Sequence, residues 1–377
     1  MKRILLLSLL FLSVSQLSVA QNKVSVIKAS SILVDIRDGD NLNKGAWKIA
    51  PAANPDIYKT SSKSVTFYTD IDSISFEIDP KVGTYNFVIL LNNKDSARTQ
   101  IQYQIPYIDK LRKAKQYNIA DERYIPEFTY QSQDDSTLLK IKRQFKLDSV
   151  AGHGNEISKI LNLMHWVHNV VKHDGNSSNP TNKNAIDLIK VCKTDHRGVN
   201  CRMMATILND CYLSMGIKSR YITCMPRETN FSDCHVINMV YSNDLNKWLW
   251  MDPTFDAYVM NGVGELLGID EVREGLISGK TLILSPDANW NRQFSQTKEN
   301  YLDKYMAKNL YRLQCPVNSE YNLETIRDGK EITYVELLPL DGLEQTPQKS
   351  EYNNTKIGVK YIYYKSNNPD LFWSKPE

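Results

Sequence analysis

Arg197-Gly198-Val199-Asn200-Cys201-Arg202-Met203-Met204-Ala205 is the stretch from which the fold can be read. Asn200 is a favoured N-cap directly before an apolar-periodic run, so the spacing predicts a helix whose first residue is Cys201. Met204, Ala205, Leu208, Cys211, Tyr212 and Met215 share one stripe at the 3.6-residue period, and Gly216 supplies the left-handed residue that ends the helix. The stripe packs inward and holds Cys201 at the tip. There the unpaired amides and the helix dipole favour the thiolate of a group whose ordinary pKa is about 8.5. The same amides can receive an oxyanion.

Further along, Cys234 to Tyr241 is an alternating β-branched and aromatic run, Ser242 to Leu245 is turn chemistry, and Lys247 to Met251 alternates again. This predicts a hairpin. With the turn centred on Asn243-Asp244, Tyr241 faces Asn246, Met239 faces Trp248, Ile237 faces Trp250, and His235 faces Asp252. Opposed side chains share a face with Cβ atoms about 4.5 to 5.5 Å apart, close enough for a carboxylate to orient an imidazole. Pro253 cannot donate to a ladder and leaves Asp252 at the strand end. Thiol, imidazole and carboxylate thus arrive in the contexts that thiol-nucleophile acyl transfer requires.

These pieces resemble the transglutaminase-like superfamily of papain-type thiol acyltransferases and peptidases. The resemblance rests on a glycine shortly before a helix-tip cysteine and on Met215-Gly216-Ile217-Lys218-Ser219-Arg220-Tyr221, similar to the family's helix-to-strand junction. It rests also on a histidine opening the next strand and on Trp248 or Trp250 before Asp252-Pro253-Thr254. It covers roughly residues 150 to 260. It implies Cys201 as nucleophile, His235 as general base and Asp252 as orienting acid. Two positions depart from the usual pattern: two residues separate Gly198 from Cys201, and Ile237 stands where the family commonly has tryptophan. Each residue also has a duller reading, as a core cysteine, a packed histidine and a turn-forming aspartate; the coincidence of three favours chemistry.

The implied fold class is α+β: a papain/transglutaminase-like core, with the cysteine helix packed on an antiparallel sheet, preceded by a small all-β sandwich-like domain. The expected organisation is a signal peptide over 1–20, an all-β domain over 21–105 and a connector over 106–140. A catalytic core follows over 141–310, and C-terminal strands over 311–377 pack on it. The all-β reading comes from short alternating segments, Ser30 to Ile36, Ser64 to Tyr68, Ser73 to Ile78 and Tyr85 to Leu91, punctuated by proline and glycine. In the core, Asn155 to Lys172 and Phe294 to Leu313 have helical spacing; Ile332 to Leu338 and Ile357 to Tyr364 read as two late strands that either complete the sheet or wall the substrate groove.

Lys2-Arg3, the apolar run Ile4 to Leu12 and the small residues Ser18-Val19-Ala20 read as an export signal cleaved near Ala20, giving a periplasmic or extracellular protein. The apolar run is too short for a membrane span. Loss of Lys2 and Arg3 takes the formal charge from +3 to +1, which gives no electrostatic case for nucleic acid. The expected partner is a protein or peptide substrate, with the cell envelope as one source. Six cysteines admit 15 pairings; a nucleophilic Cys201 leaves five, so a complete disulfide set and the catalytic reading exclude each other. A bridge among Cys192, Cys224 and Cys234 stays open. No cofactor motif is present. His165 and His168 lie three apart on a helix without a third ligand-like neighbour and read as a wet face; Cys192, His196, Cys201, Cys234 and His235 lack a Cys-x-x-Cys knuckle, so no metal is expected.

The function that follows is an exported thiol enzyme cleaving protein or peptide amide bonds through a thioester. Release to an amine instead of water makes a protein-glutamine transamidase. The reading from another class is a non-catalytic module on the same fold that binds glycan or peptide.

Overall fold

The computed structural model describes residues 24–52, 54–114, 116–231 and 233–377, so the segment expected to be an export signal, over 1–20, lies outside the described residues. No helix among the described residues is long and apolar enough to cross a membrane. The protein is α+β, with an all-β region ahead of a core in which helices pack on a largely antiparallel sheet. The chain divides between Ile105 and Pro106 into two compact units.

The first unit holds eight strands: β1 (Ser25–Ala29), β2 (Leu33–Asp38), β3 (Asn41–Lys48), β4 (Asp56–Thr60), β5 (Ser64–Tyr68), β6 (Ser73–Glu77), β7 (Thr84–Leu91) and β8 (Asp95–Tyr103). They form two four-stranded sheets, ordered β1-β7-β8-β4 and β3-β2-β5-β6. Alternation sends Val34, Ile36, Val65 and Phe67 inward from one sheet, and Phe87, Ile89, Ala97 and Ile101 from the other, into a single apolar core.

The second unit is built around a seven-stranded sheet: β9 (Ser219–Met225), β10 (His235–Ser242), β11 (Lys247–Met251), β12 (Arg312–Pro316), β13 (Lys330–Leu337), β14 (Lys349–Asn354) and β15 (Val359–Ser366). Its order is β11-β10-β9-β12-β13-β15-β14, antiparallel except for β13 against β15. The late strands therefore complete the main sheet, and β14, between them in sequence, forms its edge. The helical spacing over Phe294 to Leu313 resolves differently: a π-helix spans Glu299–Met306, one short turn spans Ala307–Asn309, and the chain enters β12 at Arg312.

Helices α1 (Ser136–Gln144), α2 (Leu147–Ala151), α3 (Glu156–Val170), α4 (Ala185–Thr194) and α5 (Cys201–Ser214) pack on one side of this sheet. Asn200 caps α5 as its sequence predicts, its side chain accepting from the Met203 amide at 3.1 Å, and Gly216 takes φ +73° after the last turn. The one-stripe expectation for α5 is too narrow. Every residue from Met203 to Ser214 is buried, because the sheet covers one side and α1, α3 and α4 cover the other.

The β10–β11 hairpin forms with a register two residues away from the sequence expectation: Met239 faces Trp250, Tyr241 faces Trp248 and Ser242 faces Lys247. The loop is four residues, Asn243 to Asn246, with Asn246 at φ +52°. A remote carboxylate explains it. Glu156, at the start of α3, accepts from Ser242 Oγ at 2.5 Å, the Asn243 amide at 3.1 Å and the Asp244 amide at 3.0 Å. A shift of two preserves the face of every side chain, so His235 and Asp252 still meet.

Beneath the hairpin Arg220 on β9 is fully buried. Its guanidinium lies 3.7 Å from the Phe128 ring centre and 4.9 Å from that of Trp248, and it donates to the Phe372 carbonyl at 3.2 Å. Trp248 Nε1 donates to the Trp373 carbonyl at 3.0 Å, so the same cluster holds the carboxy-terminal turn.

Candidate active site

Cys201 opens α5 and is half-buried. Burial alone pushes its thiol up; the neighbouring His173 and His235 side chains outweigh it and bring the pKa down to about 6. His235 opens β10 and is 1% exposed. Burial works against its charged form, but the Asp252 charge and hydrogen bond, together with Cys201, hold its pKa above the usual imidazole value. Both shifts favour the thiolate and imidazolium form of the pair.

Asp252 lies one residue beyond β11, its backbone exchanging two hydrogen bonds with Ala257. It is 0% exposed and every lone pair has a use. Oδ2 faces His235 Nε2 at 2.7 Å and accepts from the Tyr301 hydroxyl at 2.6 Å; Oδ1 accepts from the Thr254 amide at 2.9 Å. With Nε2 committed to Asp252, the other ring nitrogen of His235, Nδ1, is the one left for the sulfur. The Phe255 and Tyr305 rings flank the imidazole at 5.5 and 5.3 Å and keep water from it. Lys308, over the Tyr305 ring, pairs with Asp233 in the segment leading to His235.

Sequence reasoning brought these three residues together and missed two others. His173 follows α3 in a loop and pairs with Val199 in an isolated bridge; a Cβ on Gly198 would meet the Lys172 carbonyl oxygen at 2.7 Å, so only glycine lets this loop approach the cysteine. Trp290 Nε1 donates to His173 Nδ1 at 3.1 Å, and Asn291 holds the His173 backbone on both its amide and its carbonyl. An indole N–H only donates, so neutral His173 carries its proton on Nε2 and presents a donor to the sulfur. Tyr301 comes from the π-helix and also accepts from Trp250 Nε1 at 3.2 Å. The sequence signal for His173 was its place in a polar loop after a helix, where functional residues gather. Tyr301 had none.

Other sequence readings are revised. The wet-face reading holds for His165, whose side chain is exposed although its Nδ1 lies 2.6 Å from Asp256 Oδ2, and fails for buried His168, which bonds the Pro253 carbonyl and the Asn289 side chain, each at 3.0 Å. All six cysteines are free, so the bridge left open among Cys192, Cys224 and Cys234 is not formed. No cluster of three or more His, Cys, Asp or Glu side chains among the described residues is placed to hold a metal ion.

Residues 143–253 match the family described as "Transglutaminase-like superfamily". Cys201, His235 and Asp252 all lie within the matched segment. Among solved structures, the chain is similar to "a Putative Cysteine Protease from Cytophaga hutchinsonii", at 19% identity over 44% of this chain and 56% of that one, with a TM-score of 0.26. It spans little more than half the length of that protein. It is also similar to LapG of Legionella pneumophila (11% identity, 44% of this chain and 81% of that one, TM-score 0.25). Red sea bream transglutaminase is a third (11% identity, 62% and 49%, TM-score 0.23). No curated protein matches the chain.

Proposed function

We propose that the protein is an exported thiol enzyme that cleaves protein or peptide amide bonds, with Cys201 as nucleophile, His235 as acid and base, and Asp252 as the group that aims the imidazole. The observation that carries this reading is the buried His235 with its Nε2 2.7 Å from the fully buried Asp252 carboxylate, beside a Cys201 at the tip of α5 whose thiol pKa is brought down to about 6. The thiolate attacks the carbonyl carbon, and the oxyanion that forms takes hydrogen bonds from the Cys201 amide and His173 Nε2. His235 then gives its proton to the leaving amine as the C–N bond breaks, leaving a thioester. Water, deprotonated by His235, attacks the thioester and releases the acid and the thiolate. An amine in place of that water gives transamidation by the same steps.

Iodoacetamide labelling of Cys201 across pH 5 to 9 tests the reading. The thiolate forms as pH rises through about 6, so labelling climbs between pH 5 and 7, falls away below that, and is lost in Cys201→Ala. A parent profile that climbs only near 8.5, the ordinary thiol value, overturns it. Product analysis with and without an added primary amine separates hydrolysis from transamidation.

A further inference from the structure

A polar recess of about 260 Å³ adjoins the amino end of α5, lined by Lys183, Arg202, Glu324, Tyr334, Tyr361 and Tyr363 among others. It touches the nucleophile's surroundings from three sides. Arg202 follows Cys201 in the first turn, and the Tyr361 and Tyr363 rings pack in the same cluster as Cys201. At the rim, Asn179 accepts from the side chain of Asn200, the cap of α5, at 2.8 Å. None of these groups has work in the acyl-transfer steps.

The charges of the recess do not cancel. Glu324 Oε1 accepts from Arg202 Nη1 at 2.7 Å, from the Tyr221 hydroxyl at 2.8 Å and from the Tyr334 hydroxyl at 2.7 Å, so this single carboxylate is already shared with the Arg202 guanidinium. Lys183 is left over. Its ammonium makes no hydrogen bond or ion pair among the described residues, although the side chain is half-buried. Burial lowers its pKa and Glu324 only partly offsets this, so the charged form gains from an added anion. Tyr334, Tyr361 and Tyr363 stand as nearly parallel ribs on β13 and β15: Tyr334 and Tyr363 lie 5.7 Å apart at 15°, Tyr361 and Tyr363 6.4 Å apart at 21°. The Tyr361 and Tyr363 hydroxyls take no protein partner among the described residues. An unspent ammonium beside two unspent phenol donors matches a group with two acceptor oxygens and one negative charge.

We propose that this recess is a substrate subsite for a carboxylate carried near the amide under attack, with Lys183 as its charge partner and Tyr361 and Tyr363 as flanking donors. The assignment rests on Cys201 being the nucleophile. It makes the favoured substrate an acidic peptide, its carboxylate supplied by an acidic side chain or by a chain end.

Matched alkylating reagents on the full chain test it without a known substrate. One pair is N-iodoacetylglycine and its amide; the other is the α-amides of N-iodoacetylglutamate and N-iodoacetylglutamine. For each pair the ratio of charged to neutral labelling rates at Cys201 is compared with that of free cysteine. The parent favours the charged member by about fivefold beyond free cysteine, the size of one partly exposed ion pair. Lys183→Met abolishes the excess and Lys183→Arg restores it. The pair that shows the excess tells a chain end from a side chain. Ratios in Lys183→Met equal to those of the parent overturn the subsite while leaving the nucleophile in place. Neutral reagents reacting no faster than with an ordinary thiol overturn the nucleophile and the subsite together.

Discussion

Between Val24 and Ile105 the only polar side chains buried among the described residues are Thr60 and Thr99, whereas from Pro106 onward the interior admits Asp210, Arg220, His235, Asp252 and Arg273. The first unit is held by shape: Phe67 meets Trp47, Tyr58 and Phe87 edge to face. The second takes in groups whose desolvation costs several kcal/mol each unless every lone pair and proton finds a partner. Most such partners come from distant parts of the chain. Asp252 is satisfied from Thr254, His235 and Tyr301, and Glu324 Oε1 takes bonds from Arg202, Tyr221 and Tyr334. Packing alone builds a module; a web of buried polar bonds builds a site whose parts fail together.

The contrast can be broken in three places. Asp252→Asn removes the charge that keeps His235 protonated, so the Cys201 thiol returns toward its ordinary range. Labelling by iodoacetamide at pH 6.5 then falls on the order of 50-fold; an unchanged pH profile would show that Asp252 does not aim the imidazole. Next in size, Phe67→Ala empties the centre of the first unit and destabilises it by about 3 to 5 kcal/mol, seen as faster amide hydrogen exchange over residues 24–105. Cys201 labelling stays as in the parent, and a parallel loss of labelling would erase the division between the units. The smallest change is Tyr301→Phe, which removes the bonds to Asp252 Oδ2 and from Trp250 Nε1 and costs about 1 to 3 kcal/mol in denaturant unfolding. Its labelling profile still turns near pH 6; a shift to the ordinary thiol range would promote Tyr301 from support to a determinant of the ion pair.

What was legible in the sequence was what neighbouring residues decide. Asn200 capping α5, Gly216 ending it, and the alternation of β10 and β11 are local, and the structure contains them with Cys201, His235 and Asp252 on converging elements. The register slipped by two because the turn is capped by Glu156, which lies far upstream. His173 escaped notice because its orientation comes from Trp290 and Asn291, and Tyr301 because a π-helix shares the apolar spacing of an ordinary one over so short a stretch. The full burial of α5 was hidden too, since polar Thr206, Asn209 and Asp210 interrupt its stripe yet find partners inside: Thr206 donates to the Arg202 carbonyl, Asn209 Nδ2 to Ser319, and Asp210 accepts from the Ala185 amide.

The cation under the hairpin has one more implication. Arg220 is matched by ring faces and by the carbonyl of Phe372, and Trp248, one strand from His235, is tied to the carbonyl of Trp373. A protease that trimmed the last turn would strip acceptors from an enclosed guanidinium and loosen the very ribbon whose ends bear the imidazole and its carboxylate. Integrity of the tail and readiness of the sulfur are in this way a single property, and exopeptidase digestion becomes a dial on reactivity that touches no residue of the cleft.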